Sequence, residues 1–258
     1  VADTRIRSRF ELTGRVAVVT GSSKGIGEAM ARGLAEFGAR VVISSRNQES
    51  IDAVAAAYRA DGLDATAIAC HVGDPDDRRR LIEQTVATYG RLDILINNAA
   101  TNPYFGPVEG LPPDAYQKTL DINLTAALEL SNLALPHLRK SGTGSVIHIS
   151  SIEGLHANPN FAAYNISKAG IIMLGKSQAR EWASDNVRVN VICPGLVKTK
   201  LSRALWENDQ LAKQFTNMIP LNRMASPDEI AGLAVWLASD AASYVTGGTF
   251  VADGGMLG

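Results

Sequence analysis

Tyr164 and Lys168 stand four residues apart, and Ser151 lies upstream of them at the end of the run Ile149-Ser150-Ser151. Together these side chains can move a proton to or from an oxygen. On a helix, positions i and i+4 share one face about a turn apart. Free tyrosine and lysine both titrate near pH ~10, so neither alone is a good acid at neutrality. A nearby ammonium favours tyrosinate and draws the phenol toward a useful range, while a serine hydroxyl can hydrogen-bond the same substrate oxygen. The pair by itself is common enough to arise by chance, so its context decides its meaning.

That context is an alternation of short apolar runs with helix-length amphipathic segments. Runs at 15–20, 40–45, 65–70, 92–97, 145–150, 187–193 and 249–251 have the apolar, often β-branched character of strands buried on both faces. Helix candidates fall near 27–37, 49–60, 75–89, 113–138, 163–183 and 227–239. Repeated βα units predict a doubly wound α/β fold, with a parallel sheet covered by helices on both faces. No linker, repeat or low-complexity tract interrupts them, so 1–258 reads as one domain with residues 1–12 as an N-terminal extension. The longest irregular stretch, about 194–221, is expected to be a substrate loop with a short helix near 202–215.

The first run leads straight into Gly21-Ser22-Ser23-Lys24-Gly25-Ile26-Gly27. Glycines where a strand meets a helix allow backbone N–H groups to approach a phosphate at a helix N-terminus. The spacing Gly-x-x-x-Gly-x-Gly is not a Walker A loop, because no Gly-Lys-Ser/Thr closes it. The second run ends Ser44-Ser45-Arg46-Asn47, with no carboxylate to accept from a ribose 2′-OH. Arg46, with small Ser45 and cationic Lys24, suits a 2′-phosphate and so favours NADP over NAD. Were Arg46 a plain surface cation, NAD would remain possible.

With these motifs the chain resembles the short-chain dehydrogenase/reductase family over nearly its whole length. The likeness rests on the glycine loop, Asn97-Asn98-Ala99-Ala100, Asn123, Ser151, Tyr164-Asn165-Ile166-Ser167-Lys168, Pro194-Gly195 with Thr199, and Asp253-Gly254-Gly255. It implies a single-domain Rossmann fold with a seven-stranded parallel sheet and NADP(H) as cofactor. Tyr164 would be general acid or base, Lys168 would lower its pKa and bind the nicotinamide ribose, and Ser151 would orient the carbonyl oxygen. Asn123 would hold a water linking Lys168 to solvent. Asn97 and Ala99 would flank the adenosine ribose, and Pro194, Gly195, Val197 and Thr199 would line the nicotinamide. Two departures stand out: Ala100 replaces a usual glycine, and His71-Val72 replaces a usual Asp-Val. Within the family, the segments 70–73, 98–106 and 194–199 resemble NADP-dependent carbonyl and retinal reductases of animal peroxisomes. Family members are commonly tetramers, and Trp236, Tyr244 and Phe250 are apolar candidates for such contacts.

Candidate pocket walls are Tyr104, Phe105, His156, Phe161, Leu196, Leu201, Leu205 and Trp206, each of which could equally serve ordinary packing. Their apolar character suits ketones, aldehydes and diketones better than sugars. The expected activity is reduction of such carbonyls, or oxidation of secondary alcohols. A 3-oxoacyl-thioester reductase is the alternative, with Lys198, Lys200 and Arg203 as a basic rim for an acidic carrier protein. A non-catalytic dinucleotide sensor and a Rossmann methyltransferase fit less well, since neither needs the Ser-Tyr-Lys set.

Bulk properties exclude other classes. A net charge of −1 offers no field for nucleic acid or anionic lipid, and Arg78-Arg79-Arg80 reads as a solvated helix face. Two cysteines and four histidines show no metal or disulfide pattern, so Cys70 and Cys193 are expected to be buried thiols. No apolar stretch approaches a membrane span, and a cytoplasmic protein is expected.

Overall fold

The computed structural model describes residues 5–200, 202, 206–207 and 209–258. All seven expected runs form strands: β1 (Val16–Thr20), β2 (Arg40–Ser44), β3 (Ala65–Ala67), β4 (Ile94–Asn97), β5 (Ser145–Ile149), β6 (Arg188–Pro194) and β7 (Thr249–Ala252). They make one sheet in the order β3-β2-β1-β4-β5-β6-β7, parallel throughout. The third strand is shorter than expected, although the chain keeps to β2 beyond it through Ile68 N–H to Ile43 O and Cys70 N–H to Ser45 O, both 3.0 Å.

Alternate residues of each strand enter two separate cores, as a two-residue period requires. Ala17, Val19, Val41, Ile43, Ile94, Ile96 and Ile147 pack beneath α1 (Gly25–Glu36), α2 (Gln48–Ala60) and the late helix Asp228–Ala238. Val18, Val42, Leu95, Val146 and Val189 face α3 (Pro75–Tyr89) and the two long helices α5 (Ala126–Ser141) and α6 (Ala162–Trp182). Helix α3 starts where the Asp74 side chain accepts the N–H groups of Asp76 and Asp77 with Pro75 in the first turn, and stops at Gly90 with φ 74°.

Two readings need correction. Arg78 is not part of a solvated face: it is buried, donating to Val72 O and pairing with Glu129, while Arg79 and Arg80 pair with Asp76 and Asp77. The helix expected over 113–138 is broken into α4 (Pro113–Leu120), a π-helical turn (Asp121–Thr125) and α5.

Among the described elements after β6 are α7 (Asp209–Asn217), which overlaps the short helix expected there, and α8, the late helix Asp228–Ala238. Residues 201, 203–205 and 208 lie outside the described set, so the expectations for Leu201, Leu205 and Arg203 fall there. The N-terminal extension folds as a 3₁₀ turn, Ile6–Phe10, whose Arg9 donates to Asp240 O and Ser243 Oγ at 2.8 Å. Cys70 and Cys193 are buried free thiols. Among the described residues no helix is long and apolar enough to cross a membrane. Strand order reverses between β1 and β4, which opens a crevice at the carboxyl ends of these strands.

Candidate active site

A cleft of about 500 Å³ occupies that crevice. Its floor is the expected glycine loop, with Gly21, Ser23, Lys24, Gly25, Ile26 and Gly27 all lining it. Gly21 and Gly25 hold φ of 65° and 63°, which side chains with a Cβ rarely adopt. A Cβ on Gly27 would sit 2.4 Å from both Gly21 O and Asn98 Nδ2, so the loop closes only with glycine there. Helix α1 begins at Gly25 without a side-chain cap from Lys24, leaving first-turn N–H groups for an anion.

Ser45, Arg46, Asn47, His71, Val72, Ala99 and Thr199 also line the cleft, as expected. Asn47 caps α2, its side chain accepting Ser50 N–H at 2.7 Å. His71 is exposed, and its ring lies within 2.8 Å of where a Cβ on Gly73 would stand. The donor set, with no carboxylate in the described lining, fits a dinucleotide bearing a 2′-phosphate. Ala100 is accommodated in the same wall.

Asn97 is placed differently. Its side chain turns from the cleft into the interior beneath α5, donating to Ser131 Oγ at 3.0 Å and to His148 Nδ1 at 3.2 Å. Asn98 takes the cleft side: its Nδ2 bonds Thr20 O at 2.8 Å and Gly21 O at 3.2 Å, tying β4 to the glycine loop. Strand alternation carries the signal, since Asn97 shares the α5 face with Leu95. His148 donates through Nε2 to Gln178 Oε1 at 2.8 Å, and burial pushes its pKa down to about 4.

Next along the sheet, two residues beyond the end of β5, Ser151 caps a single 3₁₀ turn, Ile152–Gly154, by accepting Glu153 N–H at 3.2 Å. Tyr164 and Lys168 project from the first turns of α6. Two contacts outside the expected set lock α6 to β5. Ser150 Oγ donates to Lys168 O at 2.7 Å, and a Cβ on Gly154 would stand 2.6 Å from the Lys168 carbonyl carbon. The adjacent serine doublet was the only available signal for the first. Lys168 Nζ lies 5.5 Å from the Tyr164 ring centroid and donates to Ile149 O at 2.8 Å.

The Tyr164 phenol is pushed up to about 12: burial raises it most, the Ser151 hydroxyl lowers it, and the Glu153 charge raises it. The expected lowering by Lys168 is therefore not what the chain shows. Burial outweighs it, the opposing group is Ser151, and the Lys168 ammonium is directed at a backbone carbonyl. Burial also brings Lys168 down to about 8. A phenol at about 12 holds its proton at neutral pH and so has one to give.

Asn123 is brought to this site by the π turn, but not into contact with Lys168. It accepts Thr101 N–H at 2.8 Å and donates to Thr101 O and Ser167 Oγ, both at 3.0 Å. Ser167 in turn donates to Tyr164 O at 2.8 Å, so Asn123 braces the helix backbone that carries the tyrosine.

Pro194 closes β6 opposite Ala252 of β7, and Gly195 N–H donates to Ala252 O at 2.9 Å. A Cβ on Gly195 would be 2.7 Å from Asp253 Cα. Val197 is buried and bridged to Ala225, away from the cleft lining. On the outer side, Phe105 and Phe161 stack edge-on at 4.9 Å, and Phe161 is 6.4 Å from the Tyr164 ring. Tyr104 Oη donates to Pro107 O at 2.9 Å, bracing the Phe105 loop from within. Trp206 Nε1 donates to Thr199 O at 3.1 Å. Leu196 is half-buried and His156 is exposed.

A doubly wound sheet with a phosphate-loop cleft beside a Ser-Tyr-Lys set defines a short-chain dehydrogenase/reductase, and the chain belongs to that family. The family model described as enoyl-(acyl carrier protein) reductase matches residues 21–257. The chain is similar to dehydrogenase/reductase SDR family member 4 of Homo sapiens, 41% identical over 255 residues that cover 99% of this chain and 92% of the human one. The Caenorhabditis elegans protein of the same name is 38% identical over 252 residues, 96% of each chain. Among solved structures, gluconate 5-dehydrogenase from Burkholderia cenocepacia J2315 in complex with NADP and tartrate matches with a TM-score of 0.94 at 34% identity, covering 98% of this chain and 99% of that one.

Proposed function

We propose that the protein is an NADP-dependent oxidoreductase that reduces ketones and aldehydes, or oxidises secondary alcohols, with Tyr164 as general acid or base. The observation that carries this reading is the buried Tyr164 phenol beside the Ser151 hydroxyl, just beyond the end of β5. When bound, NADPH supplies the hydride for the carbonyl carbon. Arg46 and Lys24 would hold its 2′-phosphate and the glycine loop its diphosphate. Because Ser151 Oγ already accepts Glu153 N–H, its own proton is free to point at the substrate oxygen. Tyr164 gives that oxygen its proton, and Lys168 would bind the nicotinamide ribose. Asn123 holds the helix register and would hold a water linking Lys168 to solvent.

The Phe105–Phe161 wall supports an apolar carbonyl substrate over a polyol. Exposed Lys198 and Lys200 support the 3-oxoacyl-thioester alternative. A homotetramer is supported by exposed Tyr244, Met173 and Ile166, whereas Trp236 and Phe250 stack on each other at 5.3 Å. The test is an NADPH-oxidation screen over aryl ketones, aldehydes, diketones, a keto-gluconate and acetoacetyl thioesters, with NADH in parallel. Tyr164→Phe should abolish turnover while NADPH still binds. Retained turnover would falsify the role of Tyr164, and equal NADH rates would remove the argument from Arg46.

A further inference from the structure

We propose that Lys200 is a diphosphate-binding residue, closing on the anion from the segment that follows β6. The inference rests on the dinucleotide reading above and deepens it.

Four cations line the cleft, Lys24, Arg46, Lys118 and Lys200, and its described lining holds no aspartate or glutamate. That is a marked local imbalance in a chain whose formal net charge is −1. Several arginines elsewhere find carboxylates: Arg32 pairs with Glu36 and Asp61, Arg91 with Asp93 and Arg223 with Glu229. The four cleft side chains make no hydrogen bond or ion pair among the described residues. Cations gathered without counter-charges repel one another, so the arrangement is favourable only with an anion between them. A dinucleotide phosphate brings two charges on its diphosphate and about 1.5 to 2 on its phosphomonoester.

Position divides the work. Arg46 stands two residues beyond β2, where the adenosine ribose is expected. The segment carrying Lys200 lies instead over the glycine loop: Thr199 Cγ2 is 3.4 Å from where a Cβ on Gly25 would be. Gly25 is the first residue of α1, and Lys200, next to Thr199, lines the same cleft, where its ammonium would meet a diphosphate seated at that helix N-terminus. A diphosphate there would be held by backbone N–H groups from one side and an ammonium from the other. Arg46 then distinguishes the two dinucleotides, and Lys200 binds both alike.

The experiment measures the Kd of NADPH and of NADH by nucleotide fluorescence for the wild type, Lys200→Ala, Lys200→Arg and Arg46→Ala, at low salt and at 0.5 M salt. Lys200 is exposed, so its replacement leaves the fold intact and its contribution is that of a solvent-screened pair, about fivefold. Lys200→Ala should weaken both nucleotides about equally at low salt, Lys200→Arg should retain affinity, and the difference should collapse at high salt. Arg46→Ala should weaken NADPH alone. Unchanged affinity of Lys200→Ala for both nucleotides overturns the inference and leaves the NADP reading standing. A loss confined to NADPH also overturns it, because that places Lys200 at the 2′-phosphate. Wild-type protein that binds neither nucleotide overturns both.

Discussion

Replacing Lys168 by methionine should stabilise the folded chain while removing a catalytic group. Lys168 is 2% exposed, and burial holds its ammonium at about 8, against 10.5 for a free lysine side chain. At 1.36 kcal/mol per pH unit, that gap is about 3 kcal/mol of unfavourable charge burial carried by the native state. The unfolded chain binds this proton more tightly than the folded one. The penalty is therefore complete below about pH 8, fades as pH rises toward 10.5 and is absent above it. Methionine is of similar length and has no charge to bury, but it leaves Ile149 O without its 2.8 Å donor, a loss of about 1 kcal/mol. The net gain at pH 7 is about 2 kcal/mol, or roughly 4–8 °C in Tm for a chain of this size. Thermal and urea denaturation followed by circular dichroism at pH 7 and pH 10 provides the measurement. The variant should be the more stable at pH 7 and lose that advantage at pH 10. A variant less stable at pH 7, or an advantage of equal size at both, would refute the reasoning.

Glu153→Gln removes a negative charge that raises the Tyr164 pKa, so the rising alkaline limb of alcohol oxidation, which needs the phenolate, should move to lower pH. A pH–rate profile superimposable on the wild type would sink that assignment. Gly154→Ala would press a Cβ against the Lys168 carbonyl carbon at 2.6 Å and its oxygen at 2.7 Å, both backbone atoms at the start of α6. Because α6 must give way, kcat should fall by about 10- to 100-fold with NADPH affinity nearly unchanged. Steady-state kinetics beside nucleotide binding would show it, and wild-type kcat would disprove it.

The strands were legible because every one is a short apolar run, and α3 because its signals are local: Asp74, Pro75 and Gly90 mark both ends. The break between α4 and α5 was not, since residues 113–138 favour helix without interruption. Its cause is tertiary, in the reach of Asn123 to Thr101 and Ser167. The positions of Ser151, Tyr164 and Lys168 could be read from their spacing, but not the balance of their proton affinities. That balance depends on burial, which reversed the expected direction for Tyr164. The asparagine doublet shows a third limit. Motif order suggested Asn97 for the cleft, whereas strand parity sent it to α5 and gave the cleft to Asn98.

The π-helical turn at Asp121–Thr125 also sets the phase between two helices with different duties. Helix α4 carries Lys118 to the cleft, while α5 holds Asn97 through Ser131 and Arg78 through Glu129. A π turn accommodates one residue more than the α-helical path it interrupts. Deleting a single residue there would wind α4 and α5 into one continuous rod and rotate the face bearing Lys118 by about 100°. The segment therefore acts as a phase joint, intolerant of changes in length. Insertions and deletions among relatives should avoid it even where the surrounding helices diverge.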